Sequence, residues 1–222
     1  MDLSLDISWR IGERSFRYIC DLIRDNKCRS LVEFGSGAST ARLAAEFPKL
    51  PIVSVEHDRD FLEQTRRLLA QAAPNARVDL QHCPLGWHFL GGRPFYTYSQ
   101  ARLPEQVDLV LIDGPPGYTR RGREACLYVC YQRLSLGGLV VMDDLSRQNE
   151  QQSYANWLAV YADSFRAKLW HDGNVLAVLE KRAHRRRQWS LQAFEDSYET
   201  AVQQLRQRRL EKRGGATQEM IG

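Results

Sequence analysis

Apolar positions along the chain change period several times. "WRIGERSFRYICDLIRDNK" places Trp9, Ile11, Phe16, Ile19, Cys20, Leu22 and Ile23 at helical spacing, which predicts a helix with one buried face. "SLVEF" follows as a short buried strand. "STARLAAEF" is a helix stopped near Pro48, and "PIVSVEHD" is a second strand with an acidic end. "RDFLEQTRRLLAQAA" gathers Phe61, Leu62, Thr65, Leu68 and Leu69 on one helical side, and Pro74 and Asn75 end it. "ARVDLQH" is a third strand, "VDLVLID" a fourth and "GGLVVMDD" a fifth, with "GREACLYVCYQRL" helical before the last. "QQSYANWLAVYA" is helical, and "SFRAKLWHDGNVLAVLEK" predicts two strands around Asp172-Gly173. Residues 84–105 fit neither period and read as an irregular, aromatic-rich segment.

Strands alternating with helices predict an α/β fold: a doubly wound, mostly parallel sheet covered on both faces, with an antiparallel hairpin at its end. The domain spans 1–182. Beyond it, 183–222 carries Leu191, Phe194, Tyr198, Ala201, Val202 and Leu205 at helical spacing, which predicts an amphipathic helix with basic ends. "GGATQEMIG" is expected to fray.

The 222 residues carry a net charge of +4. Residues 181–222 hold ten Lys and Arg against five Asp and Glu, while the preceding residues hold 21 against 22. The excess is a property of the tail, which argues against a nucleic-acid-binding main domain. The tail is expected to dock on the domain or on a second subunit, giving a homodimer; a membrane surface is the alternative partner. The opening "MDLSLDISWR" has no signal-peptide apolar core, which predicts a cytoplasmic protein. The five cysteines form no C-x-x-C, and Cys126 and Cys130 share one helical face as small core residues.

The chemistry gathers where strands end. Gly35, Ser36 and Gly37 follow the first strand, but Thr40 stands where a dinucleotide fingerprint needs its third glycine, and no P-loop lysine follows. Glu33, Glu56, Asp113 and the pair Asp143-Asp144 lie at or near the ends of the first, second, fourth and fifth strands. Ligands of doubly wound sheets bind at such ends. A crevice lined by acids repels pyrophosphate and suits a cationic ligand. Asp113, Asp143 and Asp144 converge from two adjacent strands and offer hard oxygen ligands for a divalent metal such as Mg²⁺.

The stations "LVEFGSGAST", "VSVEHD", "VDLVLIDGPP" and "GGLVVMDD", in this order, resemble the class I S-adenosylmethionine-dependent methyltransferases over about residues 8–180. That resemblance implies a seven-stranded sheet with a terminal antiparallel hairpin. It implies that Glu33 meets the amino group of the cofactor's methionine part, with Gly35 and Gly37 lining that part. Ser36, Ser39 and Thr40 of the turn and Asp113 join the cofactor site. Glu56 would hold the ribose, His57 would lie beside the adenine, and His82 and Cys83 would grip that ring.

The Asp113, Asp143, Asp144 set is similar to that of catechol-type and caffeoyl-CoA-type O-methyltransferases, which implies metal-assisted methylation of a hydroxyl. The lysine base of the catechol type is missing from "DGPPGYTRRGRE". Tyr118, Arg120, Arg121 and Arg123 stand there instead; arginine is a poor base and a good clamp for anions. The "IDGPPG…R" element also resembles sugar O-methyltransferases, including the glucuronoxylan enzymes. Together these imply a small-molecule or saccharide acceptor. Asp113, Asp144, His88 and a metal-activated hydroxide all stand as candidate bases. Trp87 and Tyr96, with Phe95 and Tyr98, are expected to roof the acceptor pocket. Two rivals remain: methylation of RNA or protein with the basic tail as docking arm, and a non-catalytic cofactor-binding module. The N-P-P-[YF] signature of base N-methylation is absent after the fourth strand.

Overall fold

A computed structural model describes residues 11–99, 101–189 and 191–219; the side chains of residue 172, 192–194, 208 and 210–219 are outside that description. The expected contribution of Trp9 therefore falls outside the described residues, as does the Phe194 side chain.

The chain alternates α1 (Glu13–Asp25), β1 (Leu31–Phe34), α2 (Ala38–Glu46), β2 (Ile52–Glu56), α3 (Arg59–Ala72) and β3 (Val78–His82). A hairpin follows, β4 (Leu85–Leu90) and β5 (Arg93–Tyr98). Then come β6 (Val107–Ile112), α4 (Gly122–Cys130), β7 (Leu134–Met142), α5 (Gln148–Tyr161), β8 (Phe165–Asp172), β9 (Asn174–Lys181) and α6 (Leu191–Glu219). Seven strands form one sheet in the order β3-β2-β1-β6-β7-β9-β8. Pairs from β3 to β7 are parallel, and β9 runs antiparallel to both β7 and β8. The doubly wound fold with its terminal hairpin is the one the alternation predicts.

Each helix follows from a local reason. α1 buries Phe16, Ile19, Cys20 and Ile23, spaced three, one and three residues apart, on one stripe. α3 starts where the Asp58 carboxylate accepts the Asp60 and Phe61 amides at 2.8 and 3.0 Å. One face of the sheet packs with α4 and α5 around Trp157, Tyr128 and Tyr131; the other packs α1 and α2 around Ile19, Leu43 and Leu109.

Several expectations are corrected. Residues 85–98 of the segment expected to be irregular form a hairpin: β4 and β5 pair antiparallel, with Trp87 opposite Tyr96. Gly91 and Gly92, at φ 60° and 80°, make the two-residue turn that joins them. α4 ends at Cys130, because Leu134 already pairs with Val107 in β7. Phe61 is 48% exposed rather than core, since it sits in the first turn of α3 beside the crevice. The helix α6 continues through the segment expected to fray, as far as Glu219.

One buried carboxylate ties five segments together. Glu124 on α4 accepts from Arg93 of β5 at 3.1 Å, Tyr128 at 2.6 Å and Asn156 of α5 at 3.0 Å, and pairs with Arg121 of the preceding loop. Arg93 in turn donates to Ser197 of α6 at 2.7 Å. Burying the Glu124 carboxylate this deeply is tolerable because two buried guanidiniums, a hydroxyl and an amide are bonded to it.

Candidate active site

The sheet's strand order reverses between β1 and β6, and a cavity of about 480 Å³ opens at the carboxyl ends of the strands there. Its floor is the β1–α2 turn. Gly35 takes φ 97°, and a Cβ there would lie 2.9 Å from the Gly114 nitrogen. Only glycine lets the two strand ends approach this closely.

Glu56, 5% exposed, crosses the floor. Its carboxylate accepts the Ser36 amide at 3.1 Å, the His57 amide at 2.6 Å and the Asp58 amide at 2.8 Å. His57 Nδ1 lies 2.6 Å from the same carboxylate, and its Nε2 lies 3.4 Å from the Tyr118 hydroxyl. Phe61, Tyr98, Gly114, Pro116, Gly117, Arg147 and Asn174 complete the lining.

Glu33 does not line this cavity. It is fully buried and accepts from Ser39 at 2.6 Å, Ser54 at 2.8 Å and Thr40. Burial pushes its pKa up although the three hydroxyls favour its charge. Thr40 also accepts the Gly37 amide at 3.0 Å. Glu33, Ser39, Thr40 and Gly37 thus form the brace behind the turn rather than its face.

Asp113, Asp143 and Asp144 meet at the far end of the cavity, each offering an oxygen within 4.8 Å of the others. Burial, then the Asp143 carboxylate, holds Asp113 well above the usual carboxylate range; burial and Asp144 push Asp143 up to about 6. Asn174 donates to Asp143 at 2.6 Å. Arg123 lies 3.2 Å from Asp144, and Arg147 lies 2.7 Å from it. Carboxylates in this number and closeness suit a hard divalent cation in donor type.

The other predicted residues lie elsewhere. His82 turns its ring to the His57 carbonyl at 3.0 Å, and Cys83 is packed in the core with its thiol pushed up by burial; neither lines the cavity. Trp87 and Tyr96 pair with each other across the hairpin at 5.4 Å and do not line it either. His88 lines a second cavity of about 380 Å³ between the hairpin and α4, away from the three aspartates. Tyr98 is the wall common to both spaces.

Of the three arginines, Arg123 lines the cavity but is 4% exposed and bonds the backbone of Asp113, Asp143 and Pro115. Burial works against its charge, yet Asp113, Asp144, Glu150 and Asp143 raise its pKa. Arg121 is paired to Glu124, and Arg120 donates to Gln203 of α6 at 2.8 Å. They are braces. Phe61, Tyr98, Arg147 and Asn174 are among the lining residues that sequence reasoning did not assign to the cofactor crevice, as are Asp58, Gly114, Pro116 and Gly117; of the first four, only Phe61 carried a signal, its place one turn beyond the acid that ends β2.

The family model described as "Methyltransferase domain" matches residues 32–145, slightly over half of the chain. The protein is an S-adenosylmethionine-dependent methyltransferase. Among solved structures, this methyltransferase is similar to the O-methyltransferase of Bacillus cereus in complex with SAH, at 14% identity, with 78% of this chain and 84% of that chain covered and a TM-score of 0.60. It is similar to the O-methyltransferase TomG of Streptomyces achromogenes, involved in tomaymycin synthesis and in complex with SAM, at 14% identity, 80% and 83% coverage and a TM-score of 0.61. A putative caffeoyl-CoA O-methyltransferase of Staphylococcus aureus matches at 14% identity, 77% and 85% coverage and a TM-score of 0.56. Among curated proteins none matches the sequence significantly. Among the described residues, no helix of the methyltransferase is long and apolar enough to cross a membrane.

Proposed function

We propose that the methyltransferase acts on a hydroxyl oxygen of a small-molecule or sugar-like acceptor, with Asp113, Asp143 and Asp144 holding a divalent cation. The observation that carries this reading is the convergence of the three carboxylates at one end of the cofactor-sized cavity. A bound cation would lower the pKa of the acceptor hydroxyl and help fix its position.

In this reading the Glu56 carboxylate holds the ribose hydroxyls, its orientation fixed by three amides. His57 and Phe61 flank the adenine. The acceptor oxygen attacks the methyl carbon in line with the sulfonium; the O–CH₃ bond forms, the S–CH₃ bond breaks, and S-adenosylhomocysteine leaves. The proton of the hydroxyl goes to a carboxylate oxygen of Asp113, which lines the same cavity. Arg147, partly exposed at the rim, is placed to meet an anionic acceptor.

The test is calorimetric titration with S-adenosylhomocysteine, with and without Mg²⁺, on wild type and Asp113→Asn/Asp144→Asn, followed by methyl transfer from labelled cofactor to catechols and sugars. Expected are cofactor binding in both proteins and Mg²⁺-dependent transfer in wild type alone. Transfer that ignores chelation and survives the double substitution would remove the aspartate mechanism.

A further inference from the structure

The faces of α6 are reversed from those of a helix that only covers its own domain. Its docked face is small and polar: Ser197, Ala201 and Gln204 are buried against β5, and Gln204 donates to the Tyr118 carbonyl at 3.2 Å. Its outer face is apolar. Leu191 is 84% exposed, Tyr198 40%, Val202 44% and Leu205 48%. At 3.6 residues per turn these four fall within about 60° of one another and form a continuous stripe.

The charges beside the stripe decide what covers it. Glu195 and Glu199 lie in the first part of the helix, and Arg206 and Arg209 follow further on, all exposed. The helical angle puts Glu195, Glu199 and Arg206 on one flank of the stripe and Arg209 within the stripe itself, one turn beyond Leu205. In a parallel pair, each acid would lie level with its own copy. In an antiparallel pair, the same flank of both helices comes together, and a twofold axis near Val202 sets Glu195 and Glu199 opposite Arg209 and Arg206. A helix built for an anionic membrane would not carry two acids in this flank. We propose that this face of α6 is a self-complementary dimer interface, covered by α6 of a second copy of this chain running antiparallel. The apolar stripe runs from Leu191 to Leu205, so the seam it offers is about 21 Å long. This inference does not depend on the methyl acceptor.

Sedimentation equilibrium of the full chain tests it. Wild type should have about twice the 25.6 kDa chain mass, and its dimer should weaken as salt rises. Val202→Lys/Leu205→Lys should be monomeric with an unchanged circular dichroism spectrum and unchanged affinity for S-adenosylhomocysteine. Glu195→Arg/Glu199→Arg and Arg206→Glu/Arg209→Glu should each raise the dimer dissociation constant at least about 100-fold. Mixing those two chains should restore association. A monomeric wild type overturns the proposal, and one that instead binds phosphatidylserine vesicles moves the face to a lipid surface. A dimer indifferent to all these substitutions overturns it too, by placing the contact elsewhere.

Discussion

The Arg123 guanidinium lies 3.2 Å from the Asp144 carboxylate while only 4% of the arginine side chain is exposed. The same side chain donates to the main-chain oxygens of Asp113 and Asp143, so it spans the two strand ends that carry the acids. Removing it would leave buried carboxylates without their main counter-charge. Arg123→Met should lose about 3–5 kcal/mol of stability, read by urea unfolding. A loss below about 1 kcal/mol would mean that the acids are held chiefly by Arg147 and the backbone.

Glu56 couples the glycine turn to the second strand through three amides. If it also takes the ribose, Glu56→Ala loses charged hydrogen bonds in the complex. The dissociation constant for S-adenosylhomocysteine should rise about 100-fold, measured by calorimetry. An increase under about threefold would remove Glu56 from the cofactor site.

Gly35→Ala combines a positive φ with a Cβ pressed 2.9 Å from the Gly114 nitrogen. The floor must then open. The expected cost is about 2–4 kcal/mol, seen as a lower melting temperature, together with weaker cofactor binding. Gly37→Ala, where a Cβ meets nothing within 4 Å, is the control that should keep its stability within about 1 kcal/mol.

Lys181 donates its ammonium to the carbonyls of Tyr131 and Leu134, each at 2.7 Å. Burial pushes its pKa down to about 8. The unfolded chain keeps this proton to about 10.4. Between the two values the unfolded state binds more protons, so Lys181 makes stability rise with pH. Buried thiols such as Cys126, pushed up to about 12, act in the opposite sense. They do so in wild type and Lys181→Met alike. Urea unfolding at about pH 7.5 and 9.5 should therefore show the difference between the two proteins shifting towards wild type at the higher pH.

The sheet was legible because each buried parallel strand is a short apolar run ending in an acid or a glycine, and each helix keeps one apolar stripe. The β4–β5 hairpin was not. Its strands lack clean alternation, and Pro94 argues against a strand although Gly91-Gly92 is a hairpin signal. Within the crevice, local motifs revealed Gly35, Ser36, Glu56, His57 and the three aspartates. The arginines misled because charge alone does not tell a solvated clamp from a buried brace; Glu124 and Glu150, far from the glycine turn in sequence, draw Arg121 and Arg123 inward. Asn174 reaches Asp143 from the terminal hairpin, a pairing set by tertiary structure and by no sequence motif.

Tyr98 divides two spaces of comparable size with one ring. Its backbone belongs to the hairpin, not to the sheet that carries the acids and the glycine turn. A smaller side chain at this single position would open the two spaces into each other, at a ring that also lies against Phe34 and His57. The extent of the crevice thus hangs on one side chain supplied by the hairpin.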